Sequence, residues 1–291
     1  MSREHSASIS PTAHYTSWVW YRNGLSHEAL VTPTGRMLHL ALRPMNWIYE
    51  RFSARPSLDM MLLARHQLID HLLRQRIEAG RVSQVLEIAS GFSARGVRFA
   101  RTYAQSGLVY VEADLPDSAA AKRQALSEAG LLAQNHQVVS IDALSDHGPE
   151  SVRAVAARCF RPDRGLIILT EGLLGYFDQA SVEGMWRRFA DTLRDFEHGE
   201  HLSELSIGVD VNDLRATNAF KRVLGLFTRG EVYVHYQTPE QVIDALSRAG
   251  FDEAALLRPH DYASVLNFEG KERPQLLRVL TARVGGRGER S

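Results

Sequence analysis

Between residues 84 and 211 the sequence alternates short apolar runs with amphipathic stretches, at intervals of roughly 30 residues. Each apolar run has the length of a buried strand, and each following stretch has the period of a helix. A strand, a helix and a second strand of this kind form a right-handed βαβ unit, which builds a parallel sheet with helices on both faces. We therefore predict an α/β fold with a doubly wound, mostly parallel, Rossmann-like sheet.

Ser57 or Asp59 can cap the start of the helix that precedes this region, and Gly80 ends it in the left-handed conformation that glycine tolerates. Strands are predicted at 84–90, 108–116, 136–142, 165–172, 202–211 and, near the end of the chain, 275–284. Helices are predicted at 57–80, 93–105, 117–130, 149–160, 181–196 and 238–251.

The first part of the chain has a different character. Residues 1–12 are polar, and we expect them to be loosely ordered. Residues from 13 onward are rich in aromatic side chains without a clean period, and we predict an N-terminal helical cap. The predicted organisation is a tail and helical lid over residues 1–56 and a main domain over residues 57–291, with a cap insertion near 213–237, which shows no strand character.

Composition excludes several classes of protein. The 291 residues have no formal net charge, which argues against a general nucleic-acid or membrane-surface binder, although not against a local basic patch. Cys159 is the single cysteine, so there is no disulfide framework. The segment MSREHSASISPTAHY lacks the apolar core of a signal peptide, and no run approaches a membrane span. We predict a cytoplasmic protein.

Acidic residues stand at or near the ends of the first four predicted strands. In a parallel sheet, ligands bind outside the carboxyl ends of the strands. Asp117 and Ser118 can cap the helix after the second strand, which would leave Asp114 free for a ligand. The residues at these ends are Glu87 to Gly91, then Asp114, then Asp142, then Glu171.

The turn after the first strand fits two common ligand motifs poorly. A dinucleotide site needs G-x-G-x-x-G, whereas this turn keeps a single glycine of the tight turn and has the bulky Phe92. A nucleophile elbow needs G-x-S-x-G, and here Arg95 stands where a small residue is required, since Gly96 comes one place late. A serine hydrolase with Ser93 as the nucleophile remains an alternative.

S-adenosylmethionine fits the turn better. It has no phosphate, so one glycine for close backbone approach is enough, and its carboxylate can lie near the next helix N-terminus. Its ammonium and sulfonium groups favour nearby carboxylates such as Glu87 and Glu171. Asp114 follows Gly91 by 23 residues, close to the roughly 20 residues by which an acid reaches a ribose. The acidic strand ends therefore suit a cationic nucleoside.

Four segments in order, QVLEIASGFSARGVRFAR, YVEADLP, VVSIDAL and LTEGLLGYF, resemble the leucine carboxyl methyltransferase-like family. ARHQLIDHLL and SPTAHYT resemble its arginine-bearing helix and its N-terminal lid. The family is a class I S-adenosylmethionine-dependent group that includes bacterial O-methyltransferases of polyketide biosynthesis. The resemblance implies a class I methyltransferase fold and an O-methyltransferase that acts on a small-molecule carboxylate or hydroxyl in secondary metabolism. A non-catalytic binding protein with this fold is a further alternative.

The resemblance also implies which residues contact the cofactor. They are Arg65 at the methionine carboxylate, Ala89 and Gly91 through their backbone, Asp114 at the ribose, Asp142 and Ala143 beside the adenine, and Glu171 near the methionine amino group. The family usually has glycine at position 89 and an acid at position 93, which leaves the role of Ser93 open. For Glu171 we expect this contact rather than a pairing with an arginine.

Arg65 interrupts the apolar helical stripe formed by Met61, Leu68 and Leu72. One interpretation is that Arg65 lies at the edge of the stripe and extends its charge to solvent. The alternative, that Arg65 binds an anion, is what the resemblance implies.

No general base is assigned from the sequence. His14, Tyr15 and Tyr176 are weak candidates near the expected pocket mouth, and for each an ordinary packed or surface role is favoured. The same holds for His235 and Tyr236.

The aromatic N-terminal residues Tyr15, Trp18, Trp20 and Tyr21 would form a lid over a flat or apolar acceptor. His198 and His201 form an H-x-x-H pair, but EHGEHLSE is typical of a solvated turn, and we expect no metal site.

Overall fold

A seven-stranded sheet organises the protein, which a computed structural model describes over residues 11–52, 56–212, 233–274 and 276–285. The strand order across the sheet is β3-β2-β1-β4-β5-β7-β6, and β7 runs antiparallel to both of its neighbours while the other strands are parallel. The predicted doubly wound, mostly parallel α/β fold is confirmed. The strands are β1 (Gln84–Ile88), β2 (Val109–Asp114), β3 (His136–Ser140), β4 (Leu166–Thr170), β5 (Gly199–Leu205), β6 (Glu253–Leu257) and β7 (Arg278–Val284).

Helices cover both faces of the sheet. Those of the described chain are α1 (Pro11–Arg22), α2 (Pro33–Phe52), α3 (Leu58–Glu78), α4 (Arg95–Thr102), α5 (Pro116–Glu128), α6 (Val152–Cys159), α7 (Gln179–Leu193), α8 (Gly208–Asn212) and α9 (Pro239–Ala249). Short 3₁₀ turns lie at Glu28–Leu30, Ala104–Ser106, Leu174–Tyr176 and Pro259–Tyr262. Among the described helices, none combines the length and the apolar character that crossing a membrane requires.

Both faces of the sheet are buried because successive side chains of each strand point to opposite sides. Leu86 and Ile168 pack on one face with residues of α6, α7 and α9. Val85 and Ile167 pack on the other face with residues of α3 and α4. This double covering explains why these strands are almost continuously apolar in sequence.

Three differences from the predicted strands concern the antiparallel side of the sheet. Strand β5 ends at Leu205, and residues 208–211 of the predicted strand belong to helix α8. Strand β5 starts at Gly199, so His201 lies within it and is fully buried between Phe189 and Phe251, which corrects the prediction of a solvated turn there. Strand β6 was not predicted. Its sequence, EAALL, consists of helix-favouring residues, and it forms an edge strand through its pairing with β7.

The N-terminal helical cap is present as α1 and α2. Pro11 and Thr12, predicted to be loosely ordered, are the first residues of α1. The two helices cross closely, since a Cβ at Gly35 would lie 2.1 Å from the carbonyl oxygen of His14. The domain boundary after residue 56 stays a prediction, and residues 213–232 of the predicted cap insertion lie outside the described residues.

Gly96 in the first turn of α4 lies directly against the buried carboxylate of Glu112. A Cβ at Gly96 would come within 2.6 Å of the Glu112 Cδ and 2.7 Å of the His136 Nε2. Glu112 is held in place by Lys122 Nζ at 2.8 Å and by His136 Nε2 at 2.8 Å. Gly96→Ala is therefore expected to lower the free energy of unfolding by about 1–3 kcal/mol, as measured by urea denaturation.

Gly184 in α7 provides a matched control. A Cβ there would approach the end of the flexible Arg188 side chain at 3.1 Å, and that side chain can move. Because alanine favours a helix more than glycine does, Gly184→Ala is expected to leave stability unchanged or raise it by up to about 1 kcal/mol. Equal destabilisation by both substitutions would contradict this account of Gly96.

Candidate functional site

The residues predicted to bind a ligand meet at the carboxyl edge of the parallel strands. Ile88 at the end of β1 lies between Ala113 of β2 and Thr170 of β4. The turn after β1, Asp114 at the end of β2 and Glu171 directly after β4 consequently share one edge of the sheet. This is the edge at which sheets of this kind bind ligands.

The turn after β1 is held by Asp114. Ala89 and Gly91 both have positive φ, 55° and 46°, and the Gly91 N–H donates to Asp114 Oδ2 at 2.8 Å. The Leu115 N–H donates to the other carboxylate oxygen at 2.8 Å. Asp114 is thus engaged with the backbone, whereas we had predicted that it would be free. Its carboxylate is anchored beside the turn, and burial raises its pKa against the effect of these two hydrogen bonds.

The helix after β2 is capped differently from the prediction. Leu115 occupies the N-cap position of α5, and in the described structure no side chain accepts a hydrogen bond there, so neither Asp117 nor Ser118 caps the helix. Pro116 is the first helical residue, a position that suits it because its missing N–H would have no partner in the first turn.

Ser93 is buried in this turn, and its hydroxyl accepts a hydrogen bond from the Arg95 N–H at 3.1 Å. A nucleophile elbow exposes its serine at the top of the sheet. The hydroxyl of Ser93 instead stabilises the start of α4, so the structure does not support the serine hydrolase alternative.

Arg65 of α3 contacts two carboxylates at the same edge. Its Nε donates to Glu171 Oε1 at 3.0 Å, and its Nη1 lies 3.4 Å from Glu204 Oε1. Arg65 therefore points into the edge and does not extend to solvent. Glu171 is paired with an arginine, contrary to our expectation, because α3 brings its guanidinium across the end of β4.

Arg95, a fully buried residue, lies at the centre of these contacts. Its guanidinium donates to Asp70 Oδ1 at 2.6 Å, to Glu87 Oε1 at 2.6 Å and to Glu171 Oε2 at 2.5 Å. Glu87 also accepts from the Tyr110 hydroxyl at 2.6 Å, so both of its carboxylate oxygens are engaged inside the protein. Glu87 therefore positions Arg95, which in turn contacts Glu171 at the carboxyl edge.

His66 and Arg98 complete this group, which we call the rim network. His66 Nδ1 lies 2.9 Å from Glu171 Oε2, and Arg98 donates to Asp70 Oδ2 at 2.6 Å. Burial and Arg95 lower the pKa of His66, which keeps its imidazole neutral near pH 7. The rim network consists of Arg65, His66, Asp70, Glu87, Arg95, Arg98, Glu171 and Glu204.

The two carboxylates nearest Arg65 have opposite electrostatic environments. Burial raises the pKa of Glu171, but the charges of Arg95 and Arg65 and the hydrogen bond with His66 outweigh it and hold that pKa well below its usual value. For Glu204, burial wins over the attraction of Arg65, and with the repulsion of Glu171 it raises the pKa to about 7. One oxygen of Glu204 accepts from the Gly172 N–H at 2.6 Å, while the other, Oε2, is buried without a hydrogen-bond partner in the described structure.

Most residues of the rim network were not predicted from the sequence. His66 and Asp70 are four residues apart on α3, and Arg95 and Arg98 are three apart on α4, so each pair shares a helix face. Such polar pairs within an otherwise apolar helix face are the sequence signal that could have indicated a buried polar cluster. Nothing in the local pattern of β5 shows that Glu204 reaches the same cluster.

Helix α1 lies over this edge. A Cβ at Gly91 would meet the Cβ of Ala13 at 3.7 Å, and the His14 ring lies 5.9 Å from that of Phe92. Trp20 packs on the ring of His66 with centroids 4.4 Å apart. Helix α1 therefore covers the turn after β1 and the His66 ring of the rim network.

Two of the residues weighed as catalytic groups have packing roles. Tyr15 is fully buried, and its hydroxyl donates to Asp59 at 2.5 Å, which together with burial raises its pKa. Tyr236 stacks on Trp186 and donates to Glu183 at 3.0 Å. Neither phenol is available to a substrate in this arrangement.

The other three candidates, His14, Tyr176 and His235, lie closer to the site or are more exposed than Tyr15 and Tyr236. His14 Nδ1 lies 2.8 Å from Thr32 Oγ1, and burial lowers the pKa of His14. Tyr176 is partly exposed on the turn after β4, and His235 Nε2 lies 2.7 Å from the carbonyl oxygen of Phe177. A role for any of them in catalysis stays a prediction.

Asp142 and Ala143 follow β3 at the same edge and are half-buried. Asp142 Oδ1 accepts a hydrogen bond from the Leu144 N–H at 2.9 Å, which shapes the turn there. Their position is compatible with the predicted place beside an adenine.

A separate pocket opens at the opposite edge of the sheet. It is lined by residues at the amino ends of the strands, among them Arg81, Ser83, Arg164 and His198. Since sheets of this topology bind ligands at the carboxyl ends, and the rim network lies there, we assign the functional site to the carboxyl edge.

Comparison with known families identifies the chain. The model of the leucine carboxyl methyltransferase family matches residues 26–190, which is more than half of the sequence. This chain belongs to the leucine carboxyl methyltransferase family. The predictions of a methyltransferase and of S-adenosylmethionine as its cofactor are confirmed at the level of this family. No curated protein sequence matches the chain.

Solved structures show the same fold. A DUF574 family protein from Streptomyces avermitilis is 12% identical, with 94% of this chain and 97% of that chain covered and a TM-score of 0.61. A "putative methyltransferase" from Thermobifida fusca is 16% identical, with 97% of both chains covered and a TM-score of 0.59. The chain spans 57% of the length of a "putative O-methyltransferase" from Nostoc punctiforme that it also matches. The similarity to the first two of these structures confirms the class I methyltransferase fold.

Proposed function

We propose that this protein is an S-adenosylmethionine-dependent O-methyltransferase that methylates a carboxylate or hydroxyl oxygen of a small molecule. The observation on which the proposal depends is the anchored carboxylate of Asp114 beside the Gly91 turn, at the ligand-binding edge of a chain from a methyltransferase family. An acid at the end of the second strand is placed to accept both hydroxyls of a ribose.

The backbone of the Gly91 turn and the charged groups at this edge suit the cofactor. The positive φ of Gly91 lets the backbone pass close to a bound group, and a side chain would narrow that space toward Ala13. In the rim network, four carboxyl groups face three guanidinium groups while His66 is neutral, so the described cluster has an excess of acidic over basic groups. A cofactor with a net positive charge offsets that excess, whereas a pyrophosphate would not.

When bound, S-adenosylmethionine supplies a methyl group that its sulfonium already activates. The protein's task is then to hold and align the two reactants and to exclude water. In our proposal Asp114 holds the ribose, Asp142 and Ala143 flank the adenine, and α1 shields the edge. Arg65 provides the cation for the methionine carboxylate.

The acceptor decides whether a base is needed. A carboxylate is ionised at neutral pH and needs none, whereas a hydroxyl benefits from a group that takes its proton. His14 is the best placed of the predicted candidates, because its ring lies against Phe92 and its lowered pKa keeps it neutral. If the acceptor is a hydroxyl, we propose that His14 takes up the proton that the hydroxyl loses.

The surroundings favour a flat or apolar acceptor. Trp20 of α1 packs on His66 of the rim network with ring centroids 4.4 Å apart, and Tyr176 is partly exposed on the turn after β4. Aromatic side chains stack well on flat rings. A phenolic or carboxylic intermediate of secondary metabolism, such as a polyketide, has this character, and we propose that class as the substrate.

Asp114→Asn is expected to weaken the binding of S-adenosylmethionine and of its demethylated product by about 10- to 100-fold. The reason is that hydrogen bonds to a charged group contribute roughly 1.5–3 kcal/mol, and the amide keeps only one acceptor oxygen. Isothermal titration calorimetry measures the affinities, and mass spectrometry detects methyl transfer to a panel of aromatic acids and phenols.

Asp191→Asn on the exposed surface of α7 is the control, and we expect it to bind as the unaltered protein does. If the unaltered protein binds neither ligand, the proposed function is wrong. If Asp114→Asn binds like the control, the ribose assignment is wrong while the function stands.

A further inference from the structure

We propose that the unpaired oxygen of Glu204 binds the α-ammonium group of the cofactor's methionine moiety, next to the guanidinium of Arg65. The inference rests on the proposed function and concerns which carboxylate recognises the amino acid part of the ligand. It replaces Glu171, the residue first expected there, with a residue from a different strand.

Three side-chain groups, two of them guanidinium groups, already contact the two oxygens of Glu171. Its Oε1 accepts from Arg65 Nε, and its Oε2 lies within hydrogen-bond distance of both His66 Nδ1 and Arg95 Nη2. The surrounding cations hold its pKa well below the usual value, so its charge is already compensated inside the protein. An ammonium group would have to displace one of these donors.

Glu204 has the opposite arrangement. The Gly172 N–H and Arg65 both hold Oε1, which fixes the orientation of the carboxylate. Its side chain is only 8% exposed, and Oε2 has no partner in the described structure. A buried charged oxygen without a donor is unfavourable, so this oxygen is disposed to accept from a ligand N–H. An ammonium group supplies such donors, whereas a sulfonium has none.

The spacing of Arg65 and Glu204 suits an amino acid. An α-amino acid has its carboxylate and its ammonium on one carbon, so its receptor needs a cation and an anion side by side. Arg65 Nη1 and Glu204 Oε1 are 3.4 Å apart, and the guanidinium contacts Glu204 with one of its nitrogens. Methionine's carboxylate on Arg65 would therefore place its ammonium beside Glu204.

Contact between the ammonium group and Glu204 should release a proton, and that release can be measured. Glu204 faces Arg65 from α3, Arg95 from α4, Glu171 from the segment after β4, and the uncharged Val279 of β7. With a pKa raised to about 7, the carboxyl is partly protonated at neutral pH in the absence of a cation. A cation bound at Oε2 favours the ionised form, so ligand binding releases a proton.

The experiment compares two nucleosides by calorimetry at pH 7 in buffers with different ionisation enthalpies. S-adenosylhomocysteine has the amino acid group, and 5′-methylthioadenosine has the same nucleoside without it. The unaltered protein is expected to release about 0.5 proton with the first ligand and none with the second. Glu204→Gln is expected to bind S-adenosylhomocysteine at least about tenfold more weakly without proton release, and to bind 5′-methylthioadenosine unchanged.

Glu200→Gln is the matched control, because Glu200 lies four residues earlier on β5, is also buried, and pairs with Arg76 away from the edge. We expect it to keep both affinities and the proton release. Thermal melting of both variants establishes that they are folded, and the amide in Glu204→Gln keeps the oxygen that accepts from Gly172.

Three outcomes separate the proposals. If Glu204→Gln binds S-adenosylhomocysteine with the same affinity and the same proton release as the unaltered protein, the inference about Glu204 is wrong and the proposed function stands. If Glu204→Gln weakens both ligands equally, the residue supports the site in general and the ammonium contact is wrong. If the unaltered protein binds neither nucleoside, the proposed function itself fails.

Discussion

Arg95→Met is expected to lower the free energy of unfolding by about 3–5 kcal/mol. Arg95 is completely buried and contacts the carboxylates of Asp70, Glu87 and Glu171, all of them buried as well. Removing the guanidinium leaves these three groups as neighbouring negative charges in an environment with little water. Methionine fills most of the volume, so the loss reports the missing charge and hydrogen bonds rather than a cavity.

Arg98→Met is the matched control for this prediction. Arg98 lies on the same helix and also pairs with Asp70, but its side chain is 27% exposed, and this is its one ion pair among the described residues. We expect it to cost about 1–2 kcal/mol. Urea denaturation at pH 7 measures both variants, and a loss for Arg95→Met no larger than that for Arg98→Met would contradict the central place of Arg95 in the rim network.

Between pH 7 and pH 4 the unaltered protein is expected to lose about 3 kcal/mol more stability than the His201→Phe variant. Burial lowers the pKa of His201 from 6.5 to about 4. Its Nδ1 lies 3.0 Å from the Ile168 carbonyl oxygen, and its Nε2 is buried without a partner in the described structure, so a second ring proton would have no acceptor. The unfolded chain takes up that proton freely.

The direction follows from proton linkage. The histidine is neutral in the folded protein, so its contribution is fully present above pH 6.5 and is lost as the pH falls from 6.5 to about 4. A difference of 2.5 pKa units corresponds to about 3 kcal/mol. Phenylalanine fits between Phe189 and Phe251 and cannot titrate.

Urea titrations at several pH values give the two stability profiles for His201. The exposed His147, replaced by glutamine, serves as the control and should follow the profile of the unaltered protein. Parallel profiles for the unaltered protein and His201→Phe would show that His201 does not contribute to acid unfolding.

The architecture was largely predictable because its determinants are local. Strands buried on both faces are continuously apolar, and the helices between them show their own period, so β1 to β4 could be identified one at a time. The parallel register then brought Asp114 and Glu171 to one edge. Strand β6 escaped prediction because an edge strand of helix-favouring residues becomes a strand only through its pairing with β7.

Burial at the start of β5 could not be predicted from the sequence for a related reason. The segment EHGEHLSE contains polar residues throughout, and its local composition is that of a solvated turn. His201 is buried because Phe189 of α7 and Phe251, which follows α9, close over it. The covering residues are distant in sequence, so no local pattern reports them.

Periodicity and glycine turns act over a few neighbouring residues, so the sequence predicts the fold class, the positions of the first four strands along the chain and the edge at which we expect a ligand. The pairing of the charges at that edge depends on the tertiary structure. Arg65 and Glu204 are 139 residues apart, and Arg65 and Glu171 are 106 apart. Ion pairs of this kind depend on which helices cross the strand ends and on how much water they exclude. The structure therefore shows Glu171 compensated and Glu204 with an oxygen to spare, although both are glutamates near the end of a buried strand.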